Sequence, residues 1–200
     1  MFTRTHHHPR RALGALAGSL LGLLLAAGCA GTGATRTYVD KNMDFGALKA
    51  VAVLPLVNLT RDTQGADRAR DVFATQLLAT NAVYVVPQGE VARALAKAAV
   101  ANPVAPTVEE VQKLGTLLKV DAVVTGTLKE YGEVRSGTAA ANAISLSLQL
   151  QECGTGKVVW SGASTRGGIG FKDRLFGGGG EPLNAITEAA VNDLLDQLFK

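Results

Sequence analysis

The chain has 200 residues, with 20 basic and 17 acidic side chains, three histidines and two cysteines. The histidines, His6 to His8, stand together near the start, which excludes a histidine-dependent triad, a Cys-His pair or a His-ligated metal from everything that follows. Three of the 20 basic residues (Arg4, Arg10 and Arg11) fall in the first eleven positions, leaving 17 against 17 beyond them and excluding the basic footprint of a nucleic-acid partner.

Met1 to Arg11 is a basic leader, and Ala12 to Ala27 (ALGALAGSLLGLLLAA) is an uncharged apolar run. Gly28, Cys29 and small polar residues follow. A positive flank, a short apolar stretch and small residues at the cut are the three parts of a secretory signal. The run has 16 residues, short of the about 20 that a bilayer-spanning helix needs. LAAGC at 25–29 resembles a lipobox, the site where bacterial lipoproteins are cleaved and acylated. It departs from the commonest form in having Ala26, with Leu25 one place earlier. The expectation is a signal peptide over 1–28, a lipid on Cys29 and a tether through residue 47. Acylation stabilises membrane attachment by about 0.8 kcal/mol per buried CH₂, and more than one chain is needed for a stable anchor. By analogy with sorting rules, Ala30 after the cysteine favours the outer membrane.

Residues 30–36 (AGTGATR) are small and polar, as in a flexible linker. One folded domain is expected over 48–200, a length sufficient for a real core. Lys49 to Val57 (KAVAVLPLV) reads as a strand covered on both faces, with Pro55 at its end or at a bulge. Asn58 to Gly65 is loop, and Asp67 to Thr80 a helix with Ala69, Val72, Phe73, Gln76 and Leu77 on one face. Val83 to Val86 is a short strand, and Gly89 to Val100 a helix with Val91, Leu95 and Ala98 inward. After the linker 101–106, Thr107-x-x-Glu110 is a capping box opening a third helix, striped by Val111, Leu114 and Leu118. Val120 to Leu128 is a buried strand. Ala143 to Gln151 alternates strictly, with Ile144, Leu146, Leu148 and Leu150 on one face and Ser145, Ser147, Gln149 and Gln151 on a wet one. Cys153 to Gly156 turns the chain, and Lys157 to Ala163 returns as the hairpin mate. The last helix has Pro182 in its first turn and Leu183, Ile186, Ala190, Leu194 and Leu198 as its apolar stripe. The order β-α-β-α-α-β-β-β-α predicts an α/β (α+β) fold, a mixed sheet of about five strands with helices packed on it.

No catalytic or cofactor constellation emerges. Gly154-Thr155-Gly156-Lys157 lacks the spacing of a Walker loop and leads into a strand, so it reads as a hairpin turn. Glu109 and Glu110 start a helix, where they complement its dipole. With Cys29 acylated, Cys153 is the only thiol, so no intramolecular disulfide is expected. The segment 167–180 (GGIGFKDRLFGGGG) has seven glycines in fourteen positions. It carries Ile169, Phe171, Leu175 and Phe176 as candidate partner-binding tips, since structureless loops of this length are commonly functional.

Four segments in this order, AVAVLPLVNLT (50–60), VYVVPQGEVARAL (83–95), VQKLGTLLKVDAVVTGTLKEYGEV (111–134) and LQECGTGKVVWSG (150–162), resemble the CsgG-like lipoproteins. Those share a fold with the TolB N-terminal domain and LpoB, and a neisserial-type lipoprotein family is similar as well. The resemblance implies a lipid-anchored, non-catalytic binding or assembly module of the Gram-negative envelope. Its implied site is the periplasmic face of the outer membrane, with an envelope protein or a second copy as partner. The alternatives it leaves are a subunit of an oligomeric secretion channel and an LpoB-like activator of a peptidoglycan synthase. Only nine residues separate Val134 from Ile144, too few for two membrane-spanning strands and a turn.

Overall fold

A computed structural model describes residues 37–170 and 180–199. Its sheet contains β1 (Tyr38–Val39), β2 (Ala50–Val53), β3 (Val57–Asn58), β4 (Tyr84–Val85), β5 (Ala122–Ser136), β6 (Ala139–Glu152) and β7 (Val158–Gly167). The helices are α1 (Gly65–Ala79), α2 (Gln88–Ala98), α3 (Val108–Leu118) and α4 (Leu183–Leu198). The strand order is β1-β7-β6-β5-β2-β4, with β3 also paired to β5. β2 runs parallel to β4 and β5, whereas β5, β6, β7 and β1 form an antiparallel run. This is the mixed sheet that the element order predicts, with two more short strands than the five expected.

The apolar run at 49–57 is central because it is buried on both sides. Val51 and Val53 join one core with Phe73 and Leu77 of α1 and Ile186 and Leu194 of α4. Ala52 and Leu54 join the other with Val91 and Leu95 of α2 and Val111 and Leu114 of α3. Pro55 breaks the run: β2 stops at Val53, and the chain rejoins the sheet as β3, where Val57 lies beside Thr127. The capping box is present, Thr107 Oγ1 accepting from the Glu110 amide while the Glu110 carboxylate accepts from the Thr107 amide.

Structure begins earlier than the boundary expected at residue 48. Tyr38 and Val39 pair antiparallel with Ser161 and Trp160, and a 3-10 turn follows at Phe45–Ala47. β5 and β6 also run past their expected ends at Leu128 and Ala143. They pair continuously to Ser136 and Ala139, with a bulge between Leu128 and Glu130. The nine residues between Val134 and Ile144 are therefore the tip of one long hairpin. Lys129, Glu130, Glu133 and Arg135 gave no apolar signal there, and the cross-strand partner supplies what local propensity does not.

Candidate interaction surface

The helices cover the sheet unevenly. One face lies under α1 and α4, and α2 and α3 cover the other only above β2, β4 and the start of β5. The rest of that second face is built of directly opposed polar rows. Thr125, Gln149, Ser161 and Tyr38 form one row, Thr127, Ser147 and Ala163 the next, and Glu130, Ser145 and Thr165 a third. Ser145 and Thr165 share a hydrogen bond across their hydroxyls at 3.0 Å. Across these rows the one charged side chain is that of Glu130, exposed and opposite Ser145. The wet face read from the alternation in 143–151 is thus real, and it continues across three strands.

Of the residues singled out at the glycine-rich segment, Ile169 is half-buried just after β7. Phe171, Leu175 and Phe176 lie outside the described residues, as does Cys29. What the structure does show is how both ends of that segment are fastened. The Gly168 amide donates to the Asn142 carbonyl at 2.8 Å, and Asn142 Nδ2 donates to the Glu181 carbonyl at 2.9 Å. Gly167 has φ +77°, and a Cβ there would stand 2.1 Å from the Asn142 oxygen, so only glycine fits this crossing. Next to it, Arg166 forks onto Asp193 of α4, with Nε at 2.6 Å from Oδ2 and Nη2 on Oδ1, and Ser164 Oγ donates to the same carboxylate at 2.7 Å. These bonds hold the Arg166 guanidinium above its ordinary pKa.

Chemistry is sparse elsewhere. Among the described residues no three His, Cys, Asp or Glu side chains gather to hold a metal ion. Cys153 is buried under α3, where a Cβ on Gly115 would come within 2.4 Å of its own. Burial first, then Asp121 and Glu152, push its thiol up to about 12, so it packs as a small apolar group rather than reacting. An open polar cleft of about 350 Å³ lies between Gln64, Asp67, Arg68, Asp71 and Gln88. Around it Arg68 is bonded to Asp62 and Gln64, and Gln88 to Asp71. An apolar crevice of about 30 Å³ between Phe45, Val83 and Phe199 has room for about one water. The pattern reading missed Arg70, which is buried and donates through Nε and Nη2 to the Val53 carbonyl at 3.1 and 2.7 Å. Desolvation lowers its pKa, against the fields of Asp67 and Asp71.

Comparison with known proteins adds a family to this geometry. Residues 43–199 match the GNA1162-like lipoproteins. The chain belongs to that family. Membership bears out the neisserial-type resemblance read from the strand motifs. No curated protein matches the chain. Among solved structures, the PelC dodecamer from Paraburkholderia phytofirmans superposes with a TM-score of 0.56 at 17% identity, covering 82% of this chain and 98% of that one. Lipoprotein GNA1162 from Neisseria meningitidis gives 0.51 at 21% identity, covering 74% and 99%. The LpoB C-terminal domain from Salmonella enterica gives 0.47 at 16%, covering 64% and 87%. At these identities the first two establish a shared fold and no more.

Proposed function

We propose that this chain is a lipid-anchored envelope protein, held by acylated Cys29 on the periplasmic face of the outer membrane, that works by binding proteins rather than by catalysis. One observation carries the reading: a lipobox-like LAAGC at 25–29 stands upstream of a domain, 43–199, that belongs to a lipoprotein family. The polar rows on the open sheet face, charged only at Glu130, support the binding half. A surface with so little fixed charge tolerates a second copy of itself, whereas one densely charged with a single sign repels it. The PelC structure of the same fold is a dodecamer, which makes self-association the first partner to test.

The experiment has two arms. Mass spectrometry of the N-terminal peptide from native envelopes should find Cys29 triacylated and residues 1–28 gone, and Cys29→Ser should release the protein from the membrane fraction. An unmodified Cys29 in the native host refutes the anchor. Native mass spectrometry of the solubilised protein, with in-cell crosslinking, should find oligomers or one recurrent envelope partner. A strictly monomeric, partner-free protein refutes the assembly role.

A further inference from the structure

β1 is one of three two-residue strands in the sheet and the one through which the tether enters. It pairs over two residues with a strand of ten, and both of its side chains are largely exposed, Tyr38 at 51% and Val39 at 46%. What fastens it is polar: the Asp40 amide on the Val159 carbonyl at 2.8 Å, and Thr37 Oγ1 on Gln197 Oε1 at 2.7 Å. Burial starts only afterwards. Met43 and Phe45 pack partly on the core and Leu48 is 7% exposed. The Lys49 and Ala50 amides are then held by the Asp121 carboxylate at 2.7 and 2.9 Å. The family match likewise begins at Met43, beyond β1.

We infer that Thr37–Asn42 is a releasable clasp: it lies along β7 in the closed state and peels off, up to Met43, without unfolding the sheet behind it. Segments with few buried apolar contacts and exposed hydrogen bonds open at a small fraction of the global cost. Its consequence for reach rests on the lipid reading of Cys29. Closed, eight Cα-to-Cα steps lead from Cys29 to Thr37, a span of at most about 28 Å; open, fourteen steps lead to Met43, at most about 49 Å. The clasp therefore sets two limits on how far the anchored domain can reach from its membrane.

The test uses the full lipidated protein in phosphatidylethanolamine and phosphatidylglycerol vesicles carrying a dansyl headgroup. Trp160, the only tryptophan, is the energy donor. Asp40→Pro removes the amide that bonds Val159, and Tyr38→Cys with Ser161→Cys locks the opposed pair. D40P should lower energy transfer to the headgroups, the oxidised lock should raise it, and reductant should reverse the lock. Equal transfer in all three states overturns the inference. Hydrogen exchange on the same protein decides independently of the anchor. The Asp40 amide should exchange at least about 100-fold faster than those of Val124 and Leu148, and protection equal to theirs also overturns the inference. A chain that fails to attach to vesicles for want of acylation refutes the lipid reading instead, while the exchange result stands.

Discussion

Asn142 binds Glu181 across 39 residues of sequence, its Nδ2 donating to the Glu181 carbonyl at 2.9 Å. Its own carbonyl meanwhile accepts the Gly168 amide, so one residue of β6 closes both ends of the glycine-rich segment. A hydrogen bond of this kind contributes about 1 kcal/mol net. Asn142→Ala should therefore lower Tm by about 2–4 °C in a domain of this size. Gly167→Ala should do far worse, because its methyl would meet the Asn142 oxygen at φ +77°. Thermal unfolding of the two variants checks the order, and an unchanged Tm for G167A would refute the crossing.

Arg70 stands in for a missing strand. Just past β4 the Val86 amide goes to the Val51 carbonyl, and the chain then turns at Pro87 into α2, carrying its next amides away from the Val53 carbonyl. The guanidinium fills that place. Arg70→Ala strands a buried carbonyl and opens a void, which should cost about 2–4 kcal/mol. Arg70→Lys, which keeps the stem and one donor, should cost less. Urea unfolding measures both, and equal losses would mean that the bond to Val53 carries no weight.

The Asp121 carboxylate fixes where β2 begins. One of its oxygens, Oδ2, accepts the amides of Lys49 and Ala50. An amide oxygen can do the same, so Asp121→Asn should stay within about 1 kcal/mol of the parent, whereas Asp121→Ala should lose about 2 kcal/mol by leaving two donors unpaired. Denaturant midpoints distinguish the two, and a neutral alanine variant would sink the assignment.

The buried Cys153 thiol gives a pH dependence with a definite sign. Its pKa rises from 9.0 to about 12 on folding, so the unfolded chain loses this proton first. Stability from this group is complete below pH 9 and falls as the pH climbs from 9 towards 12. In a Cys29→Ser background, the urea midpoint should drop more between pH 8 and pH 10.5 than it does in the additional Cys153→Ala variant. The same thiol should resist a disulfide reagent at pH 8 until urea is added. Fast labelling of the folded protein would contradict its burial.

The apolar periodicities reveal most of this fold. They place Phe73, Leu77, Val91, Leu95, Val111, Leu114, Ile186 and Leu194 inward, and each of them is buried. The strict alternation in 143–151 anticipates the open polar face. Elements held by partners rather than by pattern stay hidden. β1 has two residues and no apolar rhythm, the outer half of the β5–β6 hairpin is charged, and Arg70 looks like a solvated helix residue until the Val53 carbonyl is seen beneath it. A basic residue on a helix passing over a strand that is followed by Leu-Pro is the one signal that could have found it. The candidate tips at Phe171, Leu175 and Phe176 lie outside the described residues, so the sequence remains the only voice on them.

The hydrogen bond from Thr37 to Gln197 puts the entry of the domain beside the end of its last helix. A fluorescent protein fused after Lys200 would thus crowd the corner where the tether enters. Circular permutation joining 199 to 37 needs only a short bridge. An insertion at Gly137-Thr138, in the exposed turn of the long hairpin where Gly137 already has φ +61°, leaves that corner clear and is the better site for a label.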